Sequence, residues 1–293
     1  MDAAILYEAA GRGFASLSQS RQPDDRTMNN LLSLPMYDVN RPDTQALWSA
    51  LMPLLVAEGL AAERLNIVWP EDNLLAHWQD ENLLLSQTCG YPLVKLLPRV
   101  QLVGNFHYSA PGCERNLYRS FLVARDVDGE KTLEDFRGRR AACNSRDSQS
   151  GYNILRSMIA PLAREGRFFA EAVITGSHRQ SLLAVAQQSA DLASIDCITW
   201  ALLARHEPHL LSGLAVIGQT PSAPGLPLIT SRQTSPETLA CLRRALTRLA
   251  YVRAYRTQRE TLLITGFSEV NRRDYQVILQ LEQQAREQNV MML

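Results

Sequence analysis

Short apolar runs alternate with amphipathic stretches along most of the chain, the rhythm of strands feeding helices. Residues 31–37 (LLSLPMY) read as a buried strand ending in the turn formers Asp38, Asn40 and Pro42. Asp43 is expected to cap a helix with Leu47, Leu51, Leu54 and Leu55 on one face, kinked at Pro53 and ended by Gly59. Further strands are predicted at 65–69, 83–88, 100–104, 121–124, 141–143, 173–174, 192–195, 216–219 and 228–230. Helices are predicted from Gly151 to Glu165, around Leu182 to Ala186, from the Ser235-Pro236 start through Leu249, and over 274–288. This alternation predicts an α/β architecture with mostly parallel sheets. A chain of 293 residues has room for two lobes.

In such sheets ligands gather beyond the carboxyl ends of the strands, so the strand-to-helix junctions carry the chemistry. The most informative is ACNSRDSQSGY, where a strand delivers Ser148, Gln149 and Ser150 to a helix start at Gly151. Helix N-termini hold unpaired amides and partial positive charge, hydroxyls add donors, and glycine permits close approach. Together these make an anion cradle, although helix capping alone would also explain the serines. A second junction, ITGSHR, puts His178 at another helix start, as an oxyanion donor or a structural ring. The third ends at Asp196, suited to a cationic or hydroxyl group of a ligand or to a helix cap.

Composition narrows the partners. Thirty basic residues balance thirty acidic ones, so the concentrated positive face that nucleic-acid binding needs is not expected. Five cysteines lie far apart without zinc-ligand spacing, and read as reduced thiols; no metal or cofactor is predicted. No apolar run reaches membrane-span length, so no membrane insertion is expected. Residues 1–30 read as a tail without a signal-peptide core, which points to the cytosol unless a leader was removed or the start is misplaced, with Met28 an alternative start.

The segments QTCGYPL (87–93), SQSGYNILR (148–156), GSHRQSLLAVAQQSADLASIDCITWALL (176–203) and PGLPLITS (224–231) resemble the phosphonate-binding, PhnD-like component of ABC transporters. The resemblance implies a two-lobed, periplasmic-binding-protein-like fold of type II, with a ligand cleft between lobes joined by two crossover strands. It implies a tail at 1–30, one lobe from 31–123 plus 217–293, and a second from 124–216. It further implies a small anionic ligand, phosphonate or phosphate, taken up by hinge closure, and a membrane transporter component as partner. Ser148, Gln149, Ser150 and Gly151 match the family's oxyanion cradle and His178 its ligand-contacting histidine, while Tyr37 and Tyr91 are expected as cleft aromatics from the opposite lobe. Two other readings of the same fold are an enzyme using Cys89, His178 and Asp196 as nucleophile, base and orienter, and a ligand sensor read by another protein.

Overall fold

The computed structural model describes residues 30–70 and 73–293, so most of the expected tail and its Met28 start lie outside the described residues. The first part of the chain runs β1 (Asn30–Leu32), α1 (Arg41–Ala57), β2 (Leu65–Ile67), α2 (Leu74–Trp78), β3 (Leu83–Gln87), α3 (Gly90–Lys95) and β4 (Gln101–Tyr108). The middle holds β5 (Leu117–Tyr118), β6 (Ser120–Arg125), β7 (Arg140–Cys143), α4 (Ile154–Ile159), β8 (Glu171–Ile174), α5 (His178–Ala186), β9 (Leu192–Asp196), α6 (Cys197–His206) and β10 (Leu214–Gln219). The chain ends with β11 (Ala223–Pro224), β12 (Pro227–Thr230), α7 (Pro236–Tyr251), α8 (Arg256–Thr261), β13 (Ile264–Ser268) and α9 (Gln276–Glu287).

The strands form a six-stranded sheet ordered β13-β4-β12-β3-β1-β2 and a five-stranded sheet ordered β10-β6-β9-β7-β8, with a small β5-β11 ribbon between them in sequence. The expectation of mostly parallel sheets is corrected: within the two large sheets, four strand pairings are parallel and five antiparallel. The reason is the path of the chain. It leaves the first sheet through β4 and enters the second through β6, then returns through β10 and β12. These passing strands run against their neighbours, so each sheet joins a parallel trio (β2-β1-β3 and β8-β7-β9) to an antiparallel edge.

Local chemistry accounts for several helix starts. Ser235 caps α7 by accepting from the Thr238 amide at 3.1 Å, with Pro236 in the first turn, and Leu242, Leu246 and Leu249 are fully buried. The start of α1 differs from the expectation. Its N-cap is Asn40, Pro42 occupies the first turn, and Asp43 instead meets His206 at 3.1 Å. Gly104, in the centre of β4, faces Phe267 and the Ser268 carbonyl so closely that an added Cβ would lie 2.5 Å from that oxygen. A side chain there would push β4 and β13 apart.

Helix α9 touches both halves. Tyr275 and Ile278 pack with Trp78, Leu93 and Val100, whereas Ala285 and Val290 pack with Phe136, Leu155 and Phe168. Between these contacts sits buried Glu282, which accepts from the Tyr91 hydroxyl at 3.0 Å and pairs with Lys95 at 3.0 Å and Arg286 at 2.9 Å. Burial pushes the Glu282 carboxyl up, but the Lys95 amine, the Tyr91 hydroxyl and Arg286 outweigh it and hold the group below its ordinary range. A lowered folded-state value contributes stability that is present above the ordinary glutamate range and lost as pH falls through the folded value. Glu282→Gln should therefore cost about 3 kcal/mol near neutrality, with the deficit shrinking below about pH 4, as measured by urea unfolding across a pH series.

Candidate functional site

The parallel trios place their carboxyl ends toward one another. The segments after β1, β2 and β3 form one wall of a cavity of about 730 Å³, and those after β7, β8 and β9 form the facing wall. Tyr37, Ser148, Ser150, His178 and Asp196 all line it, as does Cys89. The cavity thus brings together five of the eight residues expected from sequence.

Asp196 ends β9 and is buried. One carboxylate oxygen accepts from the Ile198 and Thr199 amides at 2.7 and 3.0 Å, capping α6; the other accepts from the Tyr37 hydroxyl at 2.8 Å. The cap and the cross-cavity bond are thus made by one side chain. Burial raises the Asp196 carboxyl to about 6, even though the Thr199 amide, the Tyr37 hydroxyl and the Ile198 amide pull the other way. The same burial and the neighbouring Asp196 charge push the Tyr37 phenol well above its usual value, so Tyr37 stays a donor.

Beside Asp196 a π-helical turn, Gln149–Asn153, leads into α4. Ser148 is its N-cap and accepts from the Gly151 amide at 3.0 Å. The Ser150 carbonyl is clamped by the hydroxyls of Ser120 in β6 (3.0 Å) and Ser194 in β9 (2.6 Å), which fixes where the Ser150 side chain points. Its Oγ lies 2.9 Å from His178 Nε2 and 3.4 Å from Ser148 Oγ. His178 opens α5 behind the Ser177 cap. Burial lowers the imidazole to about 4, so the ring is neutral at physiological pH, and its Nδ1 is buried without a protein partner among the described residues.

Gln149, Gly151 and Tyr91 stand outside the cavity lining. Gln149 turns back, accepting from Asn153 at 2.8 Å, and Asn153 in turn donates to the Ile278 carbonyl of α9 at 3.1 Å. At Gly151 an added Cβ would run into the Asn144 side-chain oxygen, so this glycine serves close packing. Tyr91 points toward α9 and Glu282, away from the cleft position expected of it, because it sits one residue into α3 on the face that packs against α9.

Sequence reasoning missed several lining residues. Asn144 directly follows β7, and its Oδ1 is buried without a partner among the described residues. Asp38 lines the wall beside Tyr37 and holds Arg41 at 2.6 Å. Arg179 and Glu207 form an ion pair at 2.7 Å, while Leu74, Leu75 and Trp78 supply an apolar wall. Asn144 was findable as the first polar residue after a predicted strand. The α2 residues carried no such signal.

Two α/β halves with one cavity between the carboxyl ends of their strands define a two-lobed binding-protein architecture. Many solved structures share the fold, among them the following three. The binding-protein component of an ABC phosphonate transporter from Pseudomonas aeruginosa is 17% identical, with a TM-score of 0.74 over 89% of this chain and 88% of that one. PhnD1 of Prochlorococcus marinus, solved with methylphosphonate, is 13% identical with a TM-score of 0.71 over 88% of this chain and 99% of that one. A Xanthomonas citri protein solved with ATP is 14% identical with a TM-score of 0.66 over 89% and 98%. The model of the phosphonate periplasmic substrate-binding proteins of ABC transporters matches residues 72–275, and the chain belongs to that family. No curated protein matches it in sequence.

The raised Asp196 value has a sign opposite to that of Glu282. The folded state holds the proton more tightly than the unfolded chain, so stability falls as pH rises from about 4 to about 6. Asp196→Asn should remove this slope, worth about 3 kcal/mol across the window, and equilibrium unfolding of both proteins from pH 4 to 7 measures it.

Proposed function

We propose that the chain is a solute-binding protein that takes a small phosphonate in the cavity, with an ABC-type membrane component as its partner. The observation that carries this reading is the convergence of Ser148, Ser150 and neutral His178 on one point of the cavity wall. An oxyanion has only acceptors and so needs donors. With the proton on Nε2, His178 donates to Ser150 Oγ and turns the Ser150 hydroxyl toward the guest. The first turn of a helix leaves four amides unpaired. Cys89 Sγ takes that of Gln149 at 3.3 Å and Ser148 takes that of Gly151, which leaves those of Ser150 and Tyr152, and of these two residues Ser150 lines the cavity. Charge-assisted bonds of about 1.5–3 kcal/mol each, offset by the cost of association, give binding near −8 kcal/mol, or micromolar.

On this reading Tyr37 and Asp196 close the wall beside the cradle, and the lobes divide where the chain passes between sheets, at 109–119 and 220–226, rather than at the expected 123/124 and 216/217. Those expected positions fall inside β6 and β10 of the second sheet. Gln149, Gly151 and Tyr91 support the cradle from behind. Binding is favoured over catalysis because the imagined triad has no assembled geometry. The Cys89 thiol accepts from an amide, burial raises its pKa, His178 is engaged with Ser150, and Asp196 with Tyr37.

Calorimetry with methylphosphonate tests the proposal. The Ser148→Ala/Ser150→Ala protein should fold, with a melting temperature a few degrees lower for the lost cap, and should bind at least 100-fold more weakly. Unchanged affinity in a folded double variant would refute the cradle.

A further inference from the structure

Of the five widely spaced cysteines, two meet in the fold. Cys113 Sγ and Cys197 Sγ lie 3.5 Å apart, although 84 positions separate them in sequence. Cys113 is half-buried in the segment that leads from β4 to β6. Its amide bonds to the Ala110 carbonyl at 3.0 Å, closing a tight turn. Cys197 is fully buried as the first residue of α6, directly after Asp196, and its amide bonds to the Arg119 carbonyl at 3.1 Å.

The approach depends on Gly112. Its φ is +95°, a conformation that side chains rarely adopt, and an added Cβ would lie 3.1 Å from Cys197 Cβ and 3.3 Å from Cys197 Sγ. Backbone conformation and close contact both call for glycine there, so the turn is shaped to bring Cys113 onto the start of α6. Neither sulfur lines the cavity, and the proposed ligand site makes no use of them.

We propose that Cys113 and Cys197 are a dithiol modification site, which closes to a disulfide on exchange with a small-molecule disulfide and thereby fixes the passing segment to α6. The half-buried Cys113 meets the oxidant first. The hydrogen bond to Cys197 and burial raise its pKa, so exchange is slow near neutrality. It passes through a small thiolate fraction, which attacks one sulfur of the small disulfide to form a mixed disulfide and release one thiol. The Cys197 thiolate then attacks the Cys113 sulfur, forming the intramolecular bond and releasing the second thiol. Two protein thiols are oxidised, one disulfide is reduced to two thiols, and the protons pass from the cysteines to the released thiolates. The bond would join the inter-sheet segment to the residue next to Asp196, stiffening the connection beside the Tyr37–Asp196 contact.

The test uses the full chain, first reduced, then equilibrated with oxidised glutathione. Intact mass should fall by two hydrogens, peptide mapping should recover a Cys113–Cys197 linked pair, and dithiothreitol should reverse both. Amide hydrogen exchange over 109–119 should slow several-fold in the oxidised form. Cys113→Ser, a small change at a half-buried position, should keep the reduced mass and the fast exchange. Retention of all five thiols in the wild type would overturn the proposal. So would a stable glutathione adduct on Cys113, loss of two thiols in Cys113→Ser as well, or exchange that oxidation leaves unaltered. None of these readouts requires a bound phosphonate, so failure of the ligand reading is told apart from failure of this one.

Discussion

A carboxylate taken out of water must have its lone pairs filled, and the way Asp196 meets that demand organises the cavity. Its three donors come from two directions. Two are the first free amides of α6, and the third is the hydroxyl of Tyr37, reached across the cavity from the segment after β1. The α6 cap fixes the carboxylate in place, so the tyrosine must come to it. That requirement ties the end of β1 to the end of β9 and sets the spacing of the two walls. Even with three donors, burial still dominates and keeps the acid near 6, so this contact is held together against a standing electrostatic cost.

The neighbouring Ser148–Ser150 turn is supported differently. There the cost falls on hydroxyls and carbonyls, which are cheaper to bury, and the support comes from behind. Ser120 and Ser194 grip the Ser150 carbonyl from β6 and β9, while Asn153 links Gln149 to the Ile278 carbonyl of α9. Helix α9 thus backs the cradle and, through Glu282, gathers Tyr91 and Lys95 from α3. A cradle locked on two sides loses little side-chain freedom when a guest arrives, which is how preorganisation turns modest hydrogen bonds into useful affinity. Two of the buried acids play opposite parts: Glu282 is overcompensated and steadies α9 against α3, whereas Asp196 is undercompensated and bridges the two walls.

Much of this was legible in the sequence. Strand-to-helix junctions announce themselves because an apolar run stops abruptly at polar residues, and Ser148, Ser150, His178 and Asp196 all sit at such stops. Strand direction was not legible, since apolar runs read the same in a parallel trio and an antiparallel edge; β13 escaped for the related reason that ITGFS lacks a long apolar run. Residue-level facing inside a turn was also hidden. Gln149 lies between two cavity serines yet points backward because the chain there forms a π-helical turn whose Asn153 recruits it. Tyr91 failed as a cleft residue because two helix faces compete for it, and Glu282, 191 positions away, decides the matter. The meeting of Cys113 and Cys197 likewise depends on a turn at Gly112 that no spacing rule marks.

The division of labour between the walls bears on how such a protein separates recognition from selection. On the proposed reading the cradle would recognise only an oxyanion: an amide and serine hydroxyls oriented by a neutral imidazole would discriminate poorly among phosphonates. Discrimination must come from the facing wall, where Asp38, Trp78, Leu74 and Leu75 set charge and shape around the rest of the guest. That wall belongs to the other sheet, so its side chains can change without moving the serines that Ser120 and Ser194 hold. On that reading the guest's head group would be specified by strand ends that the sheet locks in place, and its tail by a helix and loops that the sheet leaves free.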